Sequence, residues 1–127
     1  VLHLPNVMHL ATDVTGVIRH ETSVLHLAAS LHPSAAVGGT PTDEALKLIA
    51  ALEQLDRGRY AGPVGWIGAS GDGEWGIGLR SAQIEDGPEG PRVRLFAGCG
   101  IVADSVPADE LAEAEAKLVP IRTALSG

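Results

Sequence analysis

An apolar run, a glycine turn and a helix start follow one another at residues 94–105, which read RLFAGCGIVADS. Glycine at the end of a strand weakens it unless the backbone must bend or a ligand must come close. Free N–H groups at such a turn can bind an anion, although a β-bulge or tight corner is the simpler explanation of a lone Gly-x-Gly. We predict that strand, glycine turn and following helix form one site.

The helix after this turn carries an apolar line and a charged line. Ser105 is the predicted N-cap and Pro107 lies in the first turn. Glu110, Glu113 and Lys117 lie roughly 80° around the helix from the apolar line. Carboxylates three residues apart can jointly hold a hard cation such as Mg²⁺, but spacing alone favours a Glu113–Lys117 surface pair. The apolar line comprises Leu111, Ala114, Leu118, Ile121 and Leu125.

Length, charge and cysteine content limit the class of protein. With 127 residues, 45% of them hydrophobic, the chain can form one modest core. A formal net charge of −7 without any Lys/Arg cluster argues against a nucleic-acid partner. The single cysteine, Cys99, excludes an internal disulfide and fits a reducing compartment. No apolar run reaches the roughly 18 residues that a membrane span needs, so we expect a cytoplasmic protein without a membrane partner.

The first half of the chain shows strand patterns followed by helix patterns. Residues 1–18 alternate loosely and predict one or two strands. A short helix is predicted over 21–31, and a small-residue loop over 34–41 allows close approach of a ligand. The next helix, over 41–55, has Thr40 as its predicted cap. Because the chain begins within an alternating pattern, we expect that it starts inside a larger domain.

The second half predicts three strands joined by short turns. Strands are expected over 63–69, 74–84 and 92–97, with turn signals between them. This arrangement is an antiparallel meander with flanking helices, so the predicted class is α+β. Arg80 falls inside the second strand, where it is either a solvated side chain or, because its small neighbours leave room, the partner of a planar carboxylate.

Five ordered motifs, which together span nearly the whole chain, resemble the chorismate-utilising enzymes. That family includes anthranilate, aminodeoxychorismate, salicylate and isochorismate synthases. The combination of His32-Pro33 with Gly39-Thr40-Pro41 is similar to isochorismate synthases of the siderophore-pathway type. The motifs are Leu31 to Pro41, Arg59 to Trp66, Gly71 to Trp75, Leu95 to Ala103, and Glu110-x-x-Glu113-x-x-x-Lys117.

The resemblance implies a fold and a place within it. It makes residues 1–127 the C-terminal segment of a single chorismate-binding catalytic domain, within an αββα sandwich. It also implies Glu113 as a Mg²⁺ ligand and Glu110 as a carboxylate supporting the metal's waters. His9, on a strand where a histidine is usually structural, would lie on the active-site wall, with Ala36 and Gly38 lining the pocket.

The resemblance further implies how the substrate is held. Tyr60 and Arg80 would bind a substrate carboxylate, helped by Lys117 and by backbone N–H groups around Gly98 and Cys99. From the residues alone, the Cys99 side chain is better explained as a small buried group than as a nucleophile. Chorismate is a dianion, and these groups together with Mg²⁺ would supply the compensating charge.

The implied reaction is the Mg²⁺-dependent isomerisation of chorismate to isochorismate, in siderophore or menaquinone biosynthesis. Water adds to the ring while a hydroxyl leaves from another carbon, which requires a general base and a general acid. In the family both groups lie upstream of this chain, so the upstream part of the same domain is an expected partner. A salicylate synthase is the alternative enzyme, against which His32 and Ala36 argue, and a non-catalytic fragment of the fold is the third possibility.

Overall fold

The computed structural model describes residues 2–4, 7–9 and 11–127, the first two segments by their backbone alone. Antiparallel strand pairs and helices make up the described chain, so the predicted α+β class is confirmed. One or two strands were predicted near the start, and two short ones are present there. The elements are β1 (Leu2–Leu4), β2 (Val7–His9), α1 (Val24–Leu31), α2 (Ala35–Gly38), α3 (Thr42–Glu53), β3 (Pro63–Ile67), β4 (Gly73–Ile77), β5 (Ser81–Gly87), β6 (Gly90–Phe96) and α4 (Pro107–Ser126).

Two hairpins form where the turn residues predict them. In the first turn the Gly68 amide donates to the Asp72 carbonyl at 2.8 Å. In the second, Gly90 has a φ of 116°, a conformation that glycine adopts without strain. In the antiparallel β3–β4 ladder, Pro63 pairs with Ile77 at one end and Ile67 with Gly73 at the other. In the antiparallel β5–β6 ladder, Ser81 pairs with Phe96 and Gly87 with Gly90.

The single strand predicted over 74–84 is wrong. β4 ends at Ile77 and β5 begins at Ser81, and the two strands belong to different ladders. Arg80, placed inside the strand by the prediction, instead lies in the connection with a left-handed φ of 48°. A left-handed residue turns the chain out of the extended conformation, so β5 pairs with β6 and the expected three-stranded meander is two separate hairpins.

The helices near the centre of the chain begin later than predicted or are shorter. α1 begins after Ser23, whose hydroxyl accepts from the His26 amide at 3.2 Å. The segment predicted as a loop contains the four-residue helix α2. At the start of α3 the cap position is occupied by Pro41, so the prediction of Thr40 as cap is wrong. The same helix ends at Glu53, because the following Gln54 is left-handed, with a φ of 50°.

The C-terminal helix α4 turns part of its charged line toward the rest of the chain. Val106 occupies the cap position, so the prediction of Ser105 as cap is also wrong. The ends of the predicted apolar line face outward, with Leu111 exposed by 62% and Leu125 by 57%. The half-buried residues of the helix are Glu110, Ala114, Lys117, Leu118 and Ile121.

The best-covered side chains of the described residues lie where β6 meets the turn before β3. Ala61 is 7% exposed and Phe96 is 9% exposed. The Tyr60 ring stacks on Phe96, with ring centres 5.3 Å apart and planes inclined by 18°. No helix in residues 11–127 is long and apolar enough to cross a membrane.

Candidate active site

A cavity of about 340 Å³ opens beside the glycine turn that follows β6. Its lining comes from β6 and the turn after it, from α4, and from α2, the end of α3 and the segment after α3. The strand, the glycine turn, and Lys117 and Leu118 of the following helix therefore meet at this cavity. Five of the predicted substrate-binding residues line this cavity, namely Ala36, Tyr60, Gly98, Cys99 and Lys117.

Lys117 connects α4 to the glycine turn. Its ammonium donates to the Gly98 carbonyl at 2.8 Å and pairs with the Glu113 carboxylate at 2.5 Å. The Lys117 side chain is only 23% exposed, whereas that of Glu113 is 57% exposed. The surface pair that the helix spacing predicted is thus present, and it also directs a positive charge to the edge of the cavity.

Glu110 is held by groups from the turn. The Ser105 hydroxyl donates to Glu110 Oε1 at 2.6 Å and accepts from the Val102 amide at 3.1 Å. The Cys99 thiol donates to the Glu110 carbonyl at 3.4 Å. The hydrogen bonds of Ser105 and then Cys99 lower the pKa of Glu110, and the contact with Glu110 raises the pKa of Cys99. Because the Ser105 hydroxyl bonds to the Glu110 side chain, Ser105 does not cap α4. We call Glu110, Glu113 and Lys117, of which Lys117 lines the cavity, the α4 wall.

The chemistry of the α4 wall fits a hard divalent cation in part. Glu110 and Glu113 provide carboxylate oxygens on neighbouring turns of one helix, and oxygen is the donor that Mg²⁺ prefers. Residues 11–127 contain no group of three or more His, Cys, Asp or Glu side chains that could hold a metal. Two carboxylates suit Mg²⁺, which retains several waters and binds through one or two carboxylates.

Among the predicted residues with described side chains, Glu110, Glu113, Arg80 and Gly38 do not line the cavity. Arg80 is exposed, although the next residue, Ser81, pairs with Phe96 at the end of β6. Gly38 is buried, and a Cβ there would come within 3.1 Å of Pro33, so this glycine serves close packing. The His9 backbone pairs with Leu2, while its side chain lies outside the described residues.

On the side of the cavity formed by α2 and the segment after α3, the sequence analysis predicted Ala36 and Tyr60 but missed Glu53 and Arg57. Arg57 forms a forked pair with Glu53, with its Nε donating to Oε2 at 2.7 Å, and its Nη1 donates to the Val37 carbonyl at 3.2 Å. The same guanidinium lies 5.7 Å from the centre of the Tyr60 ring. The hydrogen bond to Glu53 raises the pKa of Arg57. We call Glu53, Arg57 and Tyr60 the Arg57 wall.

One part of the Arg57 wall carried a sequence signal. Glu53 and Arg57 are four residues apart, a spacing typical of helical ion pairs. Nothing in the local pattern indicates the contact with Val37, which is twenty residues away. The position of Gly98 also depends on this wall, because a Cβ on Gly98 would lie 3.0 Å from the Tyr60 hydroxyl. Glycine at this position therefore allows the hydroxyl to approach the turn.

Comparison with known proteins identifies relatives along almost the whole chain. A family model described as "Chorismate binding enzyme" matches residues 1–126. Isochorismate synthase MenF of Bacillus subtilis is 43% identical over 96% of this chain and 25% of its own length. The putative isochorismate synthase MenF of Mycobacterium tuberculosis is 48% identical over 94% of the chain and 32% of its own length. The vibriobactin-specific isochorismate synthase of Vibrio cholerae is 40% identical over 98% and 31% respectively. The chain thus spans between a quarter and a third of these relatives.

Proposed function

This chain belongs to the chorismate-binding enzymes, and we propose that it forms part of an isochorismate synthase, converting chorismate to isochorismate with Mg²⁺. The cavity beside the glycine turn carries this proposal, because a half-buried ammonium, a tyrosine hydroxyl and a glycine backbone converge there. The relatives named isochorismate synthases, 40–48% identical to this chain, support the choice of reaction.

The cavity residues act on the carboxylates of chorismate. A protein with a formal net charge of −7 needs local positive groups to bind a dianion. Lys117 supplies one at the cavity edge, and we propose that Arg80, which lies outside the cavity lining in the connection before β5, supplies a second. The Tyr60 hydroxyl and the N–H groups near Gly98 complete the cradle with uncharged donors. These donors hold the carboxylate so that the ring keeps one orientation.

The α4 wall holds the metal. Glu113 is the ligand, because its carboxylate is the more exposed of the two, and Glu110 orients the metal's waters while Ser105 fixes its position. Mg²⁺ held there would supply positive charge to offset that of the ring carboxylate. Lys117 then exchanges part of its contact with Glu113 for a contact with the substrate.

The general acid and base come from an upstream part of the same catalytic domain. The surface area supports this division, because the chain exposes 10403 Å² whereas a compact monomer of 13.1 kDa exposes about 6,400 Å². Apolar side chains such as Ile84, exposed by 79%, and Ile101, exposed by 71%, contribute to this excess. Burying them against the upstream part gives a complete domain.

Product analysis tests the reaction. The full-length natural protein that contains this chain is incubated with chorismate, with and without Mg²⁺, and the products are separated chromatographically. Isochorismate that forms only with the metal supports the proposal. Salicylate together with pyruvate identifies a salicylate synthase instead, and the absence of turnover identifies a non-catalytic member of the fold.

A pair of variants tests the metal assignment. We expect Glu113→Ala to lower Mg²⁺-dependent turnover by about 100-fold or more, because an oxygen ligand is lost, and to weaken Mg²⁺ binding measured by calorimetry. Glu115→Ala is the matched control, since Glu115 is exposed on the same helix. Unchanged Mg²⁺ affinity in the folded Glu113→Ala protein contradicts the assignment.

A further inference from the structure

We propose that Arg57 is a positioning residue, which sets the place of the Tyr60 hydroxyl and so the affinity of the site for the substrate carboxylate. The proposal rests on the proposed function and extends it to the part of the cavity lining formed by α2 and the segment after α3. Arg57 lies in the turn after α3, and its side chain is 26% exposed. Its guanidinium joins three segments of the cavity wall through named contacts.

The first contacts fix the guanidinium itself. Glu53, the last residue of α3, receives a forked pair from Nε and Nη2. A planar fork opposite a carboxylate has one favoured orientation, which an ammonium lacks. The remaining nitrogen, Nη1, donates to the Val37 carbonyl at 3.2 Å. The plane of the guanidinium is therefore set by α2 and α3 together, independently of the aromatic ring.

The second contact transmits this position to Tyr60. The Arg57 Cζ atom lies 5.7 Å from the ring centre, and the ring also stacks on Phe96. In addition, the Tyr60 amide donates to the Arg57 carbonyl at 2.8 Å, which closes the turn between them. The ring is thus held by Phe96 and by the cation, and its hydroxyl is directed to the Gly98 position.

Two roles of Arg57, orienting the Tyr60 hydroxyl and stabilising the turn in general, predict different effects on substrate affinity. A cation that only stabilised the turn would change the free energy of unfolding and leave substrate affinity to other groups. A cation that orients the Tyr60 hydroxyl acts through that hydroxyl. Its removal therefore matters when the hydroxyl is present, and matters little when the hydroxyl has been deleted. This dependence is measurable by a double-mutant cycle.

The test uses the full-length protein and steady-state kinetics with chorismate. We expect Arg57→Gln to raise KM about 10-fold with little change in kcat, because substrate binding loses an oriented hydrogen-bond donor. In the Tyr60→Phe background the same change is expected to raise KM less than 2-fold. Arg57→Lys, which keeps the charge without the fork, is expected to restore only part of the affinity.

Two further measurements keep the proposal falsifiable. Arg59→Gln is the matched control, because Arg59 is exposed in the same turn and makes no side-chain hydrogen bond or ion pair within residues 11–127. An equal rise in KM in both backgrounds, or an equal effect of Arg59→Gln, overturns the proposal. If Arg57→Gln does not fold, the cycle is run with Arg57→Lys. If the wild-type protein makes no isochorismate, the proposed function fails, and the same cycle read as chorismate affinity still decides the role of Arg57.

Discussion

The two walls of the cavity are built from the same kinds of group but in different ways. In the α4 wall, Lys117 reaches the Gly98 carbonyl from a regular helix whose spacing also sets its pair with Glu113. In the Arg57 wall, a guanidinium in a turn joins residues 4 and 20 positions away. Helix periodicity thus places the Lys117 ammonium against the glycine turn at the cavity edge, whereas the Arg57 side chain joins distant segments and contacts an aromatic ring.

The largest expected effect on stability comes from substitution of Phe96, which lines the cavity and stacks on the Tyr60 ring. We expect Phe96→Ala to lower the free energy of unfolding by about 3 kcal/mol, because a nearly buried aromatic side chain is removed from beneath the Tyr60 ring. Chemical denaturation of the full-length protein measures the loss. Glu89→Ala, in the exposed β5–β6 turn, is the control and should stay within about 0.5 kcal/mol. Equal losses in the two variants would contradict the placement of the core.

Substitution of Arg80 by glycine is expected to have two distinct effects, one from the lost charge and one from the relieved backbone strain. We expect Arg80→Gly to raise KM for chorismate about 10-fold through loss of the guanidinium, and to stabilise the protein by up to about 1 kcal/mol, since Arg80 has a left-handed φ of 48°. Gln54→Gly is the matched control, because Gln54 has a φ of 50° and does not line the cavity. It should gain stability without any change in KM. An unchanged KM in Arg80→Gly would contradict the proposal that Arg80 binds a carboxylate of chorismate.

The smallest expected effect concerns the thiol beside the α4 wall. Because the contact with Glu110 raises the pKa of Cys99, less thiolate is present at pH 7.5 and alkylation is slower than for an ordinary cysteine. Glu110→Gln leaves the bond of the thiol to the Glu110 backbone carbonyl in place but removes the carboxylate charge, so the pKa of Cys99 falls toward its usual value. We therefore expect iodoacetamide to modify Cys99 roughly 3-fold faster in that variant, as measured by mass spectrometry of the peptide across pH. A slower rate in Glu110→Gln would reverse the assigned cause.

The features that depend on local chemistry could be predicted from the sequence. The turn residues predicted the β3–β4 and β5–β6 hairpins, and these hairpins together with the helix patterns predicted the α+β class. The interruption between β4 and β5 could not be predicted, because the apolar alternation continues up to Leu79 and only the backbone of Arg80 departs from it. Local signals also misplaced the start of α4, since Ser105 bonds to Glu110 in place of capping the helix.

The residues of the candidate site also differ in whether a local sequence pattern could predict them. The positions of Glu110, Glu113 and Lys117 on one helix were readable from spacing, and the resemblance to chorismate-utilising enzymes added their proposed roles. Arg57 was missed because its contact with Val37 joins residues far apart in the chain. Such contacts exist only once α2, α3 and the turn have packed together, so no pattern within one segment predicts them.

Calorimetric titration of the full-length protein with chorismate, in the absence of metal, tests the central claim most directly. Lys47 and Lys117 are the two lysines of this chain, and Lys47 is exposed on α3. We predict that Lys117→Met weakens chorismate binding about 10-fold or more, because a half-buried charge at the carboxylate site is lost. The matched Lys47→Met protein should bind as the wild type does. Equal affinities of both variants and the wild type would contradict a carboxylate-binding role for the cavity.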